Sequence, residues 1–271
     1  MSRISAVLDS CVLYPFYVRD TLLCAAEEGL YQPIWSEKIF SDATFNLVKD
    51  GRMSLEKATS FENKIKKAFP EAMVSPPDEL AQIMTNSPED RHVMACAVFG
   101  EAEIIVTDNL RDFQPKDIDL WHKKAMSADN FLTYLYELFP DQMIKVVHRQ
   151  AKAKTKPPTT ISELLDILDR STSNFANNIR YHEKKWELAK VIQKVVHIFG
   201  RESSDGKKYL EGNQYCIWID KQSVGITSKS CGRDILRICG KQANSYLALK
   251  DMIIFEKFMK EVESSECKVE R

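Results

Sequence analysis

Glu103-Ile104-Ile105-Val106-Thr107-Asp108-Asn109-Leu110-Arg111-Asp112-Phe113 is the stretch on which the fold of this chain turns. Three apolar residues, two of them Ile and one Val, run from Glu103 into Thr-Asp-Asn, the signature of a short buried strand that ends in an acidic turn. Near the amino terminus Ile4 to Leu8 has the same form and gives out on Asp9. Between the two, Val18 to Gly29 shows helical periodicity with a glycine stop, and Tyr31 to Trp35 reads as a second strand, so the chain opens as a β-α-β unit. Helices are expected from Ser36 to about Val48, over Leu55 to Ala68 and over Asp90 to Phe99, with a short strand at Ala72 to Ser75 before Pro76-Pro77. This alternation through roughly the first 135 residues predicts an α/β fold class, a central parallel sheet flanked by helices.

Four acidic stretches sit where these strands end or helices begin: Asp9 after Ala6-Val7-Leu8, Trp35-Ser36-Glu37 leading to Asp42, Pro88-Glu89-Asp90-Arg91-His92, and Thr107 to Phe113. Open α/β sheets place their chemistry at the carboxyl ends of strands, and clustered oxygen ligands suit Mg²⁺ or Mn²⁺. Each acid also has a plainer reading. An Asp after a strand is a common cap, Asp90 at a helix start favours the positive end of the dipole, and Asp and Asn are ordinary turn residues. Glu37 and Asp42 are five positions apart on a helix, so at most one of them faces a common site. Four such places coincide less easily than any one, and the pattern points to a metal-dependent enzyme acting on phosphates.

Composition narrows the setting. At 271 residues, 44% hydrophobic and 28% charged, the chain has enough apolar material for one large domain or two small ones. Lys and Arg total 38 against 39 Asp and Glu, so a nucleic-acid partner requires locally concentrated positive charge. Arg91, Arg111, His148, Arg149, Lys152, Lys154 and Lys156 are the candidates, and the last five form a basic run whose plainer reading is a solvated linker. Seven cysteines with no C-x-x-C pair argue for reduced thiols and a cytoplasmic location. The early Asp9 leaves no room for a secretory signal, no apolar run approaches the roughly 20 residues of a membrane span, and no membrane partner is expected.

Beyond the first domain, Ala151 to Pro158 reads as a basic linker, and Thr160 three residues before Glu163 forms a capping box ahead of Leu164-Leu165-Ile167-Leu168. Asn174 to Phe199 continues helical. After Gly200, Tyr209 to Ile219, Ser223 to Thr227 and Asp234 to Cys239 read as strands separated by Gly-Asn, Lys-Gln and Ser-Cys-Gly, with a closing helix over Ala248 to Val262. The expected organisation is an α/β domain over 1–140, a helical extension over 141–200 and a small α+β module over 201–271.

Five ordered segments resemble the PIN domain, in the branch of toxins related to the VapC ribonucleases. They are Leu8 to Pro15, Arg19-Asp20-Thr21-Leu22-Leu23, Trp35 to Asp42, Asp90 to Ala97 and Ile105 to Phe113. The resemblance covers about the first 140 residues and implies one acidic pocket, Mg²⁺ or Mn²⁺, and cleavage of RNA to leave a 5′-phosphate and a 3′-hydroxyl. Carried over position by position, Asp9, Asp42, Asp90 and Asp112 become the catalytic acids, and Asp9, Asp90, Asn109 and Asp112 the metal ligands. Arg91 and Arg111 are the expected substrate contacts.

Two positions depart from the family pattern. Asp42 stands where Glu is usual and draws its carboxylate back by about one bond length. Asn109 is neutral where many relatives carry Asp, a charge that Asp112 or Asp108 could restore.

The leading expectation is the toxin of a toxin–antitoxin pair, with RNA as substrate and a cognate antitoxin as partner. Asp42 and Asn109 keep open a catalytically impaired RNA-binding or regulatory module. A phosphatase of the haloacid dehalogenase type is disfavoured, because Cys11 stands where its Asp-x-Asp needs the second acid. The carboxyl-terminal module, with Arg233, Arg237, Lys241 and Lys250, could bind RNA, a partner or a second copy of the chain.

Overall fold

A computed structural model describes residues 4–155 and 157–184 and, beyond them, 201–202, 208–211, 215–219, 223–229, 232 and 234–239. The chain falls into two compact units, Met1–Arg180 and Tyr181–Arg271.

Unit one is built on four short strands, β1 (Ser5–Leu8), β2 (Gln32–Ile34), β3 (Ile104–Val106) and β4 (Lys124–Met126), in the order β2-β1-β3-β4. All three pairings are parallel, with Ala6 opposite both Pro33 and Ile104 and Ile105 opposite Ala125. Between β1 and β2 lie α1 (Ser10–Leu13) and α2 (Phe16–Glu27). Between β2 and β3 lie α3 (Glu37–Lys49), α4 (Leu55–Ala68), α5 (Asp78–Gln82) and α6 (Arg91–Phe99). The short α7 (Pro115–Ile118) joins β3 to β4.

The parallel α/β sheet expected from the apolar runs is present. From β1 the chain moves to one neighbour, β2, and then crosses to the other side of β1 to lay down β3. That reversal makes the β1/β3 junction the switch point, where an open sheet leaves a crevice beyond its carboxyl ends. Asp9 and Thr107 are the residues that follow these two strands.

Apolar strands are buried on both sides here: Ala6, Val7, Leu8, Ile105 and Val106 have no exposed surface. The strand expected at Ala72 to Ser75 is a single parallel bridge, Trp35 to Met73, in which Trp35 N–H donates to Ala72 O and Val74 N–H to Trp35 O.

Three further helices, α8 (Ala128–Leu138), α9 (Pro140–Ala153) and α10 (Ile161–Leu168), add Phe131, Leu135, Met143, Val147, Leu164 and Leu168 to the same core. Helix α9 is locked to α2 through buried Gln150, which accepts from Thr21 Oγ1 at 2.8 Å and donates to Tyr17 O at 3.1 Å. The stretch expected as a linker from Ala151 is therefore helical through Ala153, because α9 has an apolar face that packs against α2. Two members of its basic run are in ion pairs, Arg149 with Glu27 and Glu28 and Lys154 with Asp20. Lys156 lies outside the described residues. Thr160 and Glu163 form the reciprocal capping box expected from their spacing. Residues 173–184 are helical, and the rest of the helix expected as far as Phe199 lies outside the described residues.

In unit two, β5 (Arg201–Glu202), β6 (Lys208–Glu211), β7 (Tyr215–Ile219), β8 (Ser223–Ser228) and β9 (Asp234–Cys239) form an antiparallel meander in sequence order. The strand expected over Tyr209 to Ile219 is two strands, β6 and β7, paired with each other, with Leu210 opposite Ile217. The expected helix over Ala248 to Val262 lies outside the described residues. Gly225 pairs with Trp218, and a Cβ there would come within 2.4 Å of the indole ring. Gly225→Ala is thus expected to destabilise unit two by about 1–3 kcal/mol through overpacking, read by chemical denaturation followed by tryptophan fluorescence.

Candidate active site

Asp9 ends β1 and begins α1, with its backbone in the extended conformation of a helix cap. Its backbone N–H donates to Val106 O, which ties it to the end of β3. The carboxylate is almost wholly buried, at 1% exposure, a placement that costs several kcal/mol unless hydrogen bonds replace water. They do. Oδ1 accepts from Ser10 N–H at 2.6 Å and Ser10 Oγ at 3.3 Å, and Oδ2 from Thr107 Oγ1 at 2.7 Å and Cys11 Sγ at 3.2 Å.

Thr107 in turn accepts the Asn109 N–H at 3.1 Å, which fixes the first bend of the acidic turn. Cys11 also accepts the Asp108 N–H, and burial together with the Asp9 charge pushes its thiol up to about 12. It is an uncharged prop for Asp9 and not a nucleophile. Neither role is readable from one Cys and one Thr lying 96 positions apart.

Asp90 closes a single 3-10 turn, Pro88–Asp90, and stands at the cap position of α6, whose Val93 to Ala97 are buried. Its side chain makes no capping hydrogen bond, so the helix-cap reading of this acid does not hold. The Asp90 carboxyl is instead pushed up to about 6, first by burial and then by the negative charges of Asp9, Asp112, Glu89 and Asp42. The geometry therefore brings the four expected acids, Asp9, Asp42, Asp90 and Asp112, into one electrostatic neighbourhood.

Asp42 is held differently from the other three. Lys38 Nζ meets its Oδ1 at 2.5 Å, and His92 Nε2 lies 3.3 Å from its Oδ2. The latter pair is close but poorly aligned, since buried His92 Nε2 has no hydrogen-bond partner. Burial lowers the His92 pKa against the pull of Asp42 and Asp9, so the ring is neutral at neutral pH. Glu37 turns away from Asp42 and pairs with Lys66 at 2.5 Å.

Of the last acidic stretch, Asp112 pairs with exposed Arg111 at 3.6 Å, while Asp108 Oδ1 accepts the Ala128 N–H and so positions α8. Asn109 carries its side chain on the exposed turn. Arg91 Nε donates to Asn86 O at 3.2 Å, which anchors it to the loop ahead of Asp90. A cleft of about 640 Å³ opens along Asp42, Asp90, Arg91 and His92.

Arg19 is a functional support with a weak sequence signal. Buried at 3% exposure, it donates to Leu13 O at 2.5 Å, and its guanidinium lies 4.4 Å from the centre of the Phe61 ring. It thereby secures the end of the short helix that Asp9 begins.

Residues 5–111 match the family model described as the PIN domain. Residues 5–111 form a PIN domain. A second family model, the VapC50 C-terminal domain, matches residues 128–181, beginning at the start of α8. The chain is also 35% identical over 103 residues to the Mycobacterium tuberculosis (strain ATCC 25618 / H37Rv) protein named "Putative ribonuclease VapC50". That match takes in 38% of this chain and 61% of the relative, so the chain spans about three fifths of the relative's length.

The raised Asp90 carboxyl carries a stability consequence. Between its ordinary value of 3.8 and about 6 the folded PIN domain binds more protons than the unfolded chain, so stability falls as pH rises through that window. Asp90→Asn removes this loss. The variant is expected to melt about 2–4 °C above the parent at pH 7 without divalent cations and to match it below pH 4, measured by scanning calorimetry.

Proposed function

We propose that this chain is a metal-dependent endoribonuclease, the toxin of a toxin–antitoxin pair. The observation that carries the proposal is the Asp90 carboxyl, pushed up to about 6 by burial and by Asp9, Asp112, Glu89 and Asp42, at the switch point of a PIN fold. A carboxyl raised by burial and by neighbouring acids in this way favours a divalent cation.

The donors are oxygens, as Mg²⁺ or Mn²⁺ prefers. Among the described residues no three His, Cys, Asp or Glu side chains converge closely enough to enclose an ion. Mg²⁺ is suited to such an open site, since it binds through one or two carboxylates and keeps several waters. Asp9 and Asp90 would hold the ion, with Asn109 and Asp112 completing the set. When bound, the ion supplies a water of lowered pKa and offsets charge that develops on the phosphoryl oxygens.

The chain's own groups do the rest. Asp9 is held rigid by Thr107 and Ser10 and cannot follow solvent. Asp42 sits in the cleft with Lys38 beside it and is the acid placed to accept a proton from the attacking water. Arg111, at 88% side-chain exposure and beside Asp112 only through Nε, would engage a phosphate, while Arg91 holds the loop with Nε and keeps its terminal nitrogens for substrate. In-line attack by water would leave a 5′-phosphate and a 3′-hydroxyl.

An antitoxin protein is the proposed partner, and the cytoplasm the proposed location. No helix among the described residues is long and apolar enough to cross a membrane. The proposed organisation is a nuclease domain over 1–140, a helical extension over 141–200 and a carboxyl-terminal module over 201–271 that contacts RNA, a partner or a second copy.

A second reading, an RNA-binding PIN module with impaired catalysis, is favoured by one observation: Asp42 is already engaged by Lys38. Purified protein incubated with RNA separates the two. Mg²⁺ or Mn²⁺ is expected to support cleavage that chelator stops and that Asp90→Asn lowers by roughly a hundredfold or more. RNA binding without cleavage at any metal concentration would instead establish the impaired module.

A further inference from the structure

We propose that a groove beside the acidic cleft is a nucleobase subsite that reads one base next to the scissile bond, with guanine as its occupant. The proposal rests on the ribonuclease reading above.

The groove has a volume of about 430 Å³, in the range of small-ligand sites, and lies between the start of α3, the segment Val74 to Asp78, and α6. The bridge from Trp35 to Met73 fixes the course of that segment. Val74, Pro76, Pro77 and Ala81 give the groove apolar walls suited to the face of a base, and the His92 ring adds a stacking surface. Lys38, Ala81 and His92 line both this groove and the acidic cleft, so the two hollows adjoin. An RNA strand with its phosphate among the acids therefore reaches the groove with a neighbouring nucleotide.

Charge selects a base over a phosphate. Glu37 and Asp78 both line the groove and repel phosphate oxygens. Glu37 is occupied by Lys66 at 2.5 Å, whereas Asp78 is exposed and enters no ion pair among the described residues. A carboxylate accepts two parallel N–H bonds, and only guanine presents adjacent N–H donors, N1–H and the 2-amino group, on its Watson–Crick edge. Cytosine and adenine each place a ring-nitrogen acceptor beside their amino group, and uracil flanks its one N–H with carbonyls. Each of those three sets an acceptor against the Asp78 oxygens.

Two measurements on the full chain test this. In the first, RNA carrying 6-thioguanosine is photo-crosslinked to the protein in chelator, and the modified peptide is mapped by mass spectrometry. Attachment within residues 74–81, lost in Ser75→Trp, is expected; attachment confined to other segments overturns the subsite. In the second, a randomised RNA pool is cleaved in Mg²⁺ and the ends are sequenced. Guanine enrichment at one position near the cut is expected, reduced roughly tenfold in Asp78→Asn. Unchanged enrichment in Asp78→Asn overturns the assignment. Cleavage without base preference and without crosslinks at 74–81 removes the subsite and leaves the ribonuclease standing, while crosslinks there without cleavage do the reverse.

Discussion

The hydrogen bond from Thr107 Oγ1 to Asp9 Oδ2, 2.7 Å long and shielded from water, is the constraint on which the rest of the site depends. A buried carboxylate is tolerated only when donors replace its hydration, and here the donors come from the residue after β3 and from the first turn of α1. One side chain thus joins the ends of two neighbouring strands. Because Thr107 Oγ1 also receives the Asn109 N–H, the same bond sets the direction of the turn that carries Asp112. Asp9 further closes α1, its carbonyl accepting from Val12 and Leu13 N–H. Moving this residue would disturb a strand end, a helix start and the acidic turn together.

With Asp9 fixed, the charge problem passes to Asp90. Helix α6 is anchored by buried Val93, Met94, Ala95, Cys96 and Ala97, so its first residue cannot retreat from the crevice. The core holds the like charges near one another, and the Asp90 carboxyl is raised first by burial and then by those charges. A folded domain that accepts such repulsion without gaining a bound cation or substrate would be carrying a cost with no return, which is why the electrostatics, more than the fold, support a catalytic reading.

Much of this was legible in the sequence. The apolar runs before Asp9 and Thr107 located β1 and β3, and the helix expected over Leu55 to Ala68 has those bounds, with Ser54 as its cap and Pro70 just beyond its end. Strand β4 escaped because Lys124-Ala125-Met126 has no alternating apolar pattern; it is an edge strand defined by backbone pairing to β3 alone. The basic run after His148 misled for a different reason. Lys154 finds Asp20 and Arg149 finds Glu28 more than a hundred positions away, and no local pattern encodes such partners. Within the site, Asp9 and Asp90 could be picked out from their strand and helix ends, but the props of Asp9 at Thr107 and Cys11 and the contact of His92 with Asp42 are products of tertiary packing.

Asp42 shows how environment divides the work among equivalent acids. Its charge is countered by Lys38 and faced by the His92 ring, whereas Asp9 is surrounded by neutral donors. Accordingly Asp9 is the leading charge acting on Asp90 and Asp42 the weakest of the four. The negative potential is therefore concentrated about Asp9, Asp90 and Asp112, and it falls off toward Lys38 and His92, the residues shared with the neighbouring groove. A cation is drawn to the first region and a polyanion is least repelled at the second. The loss of one methylene at Asp42 fits this division: a carboxylate already tied to Lys38 needs less reach than one that must extend into the centre of the acids.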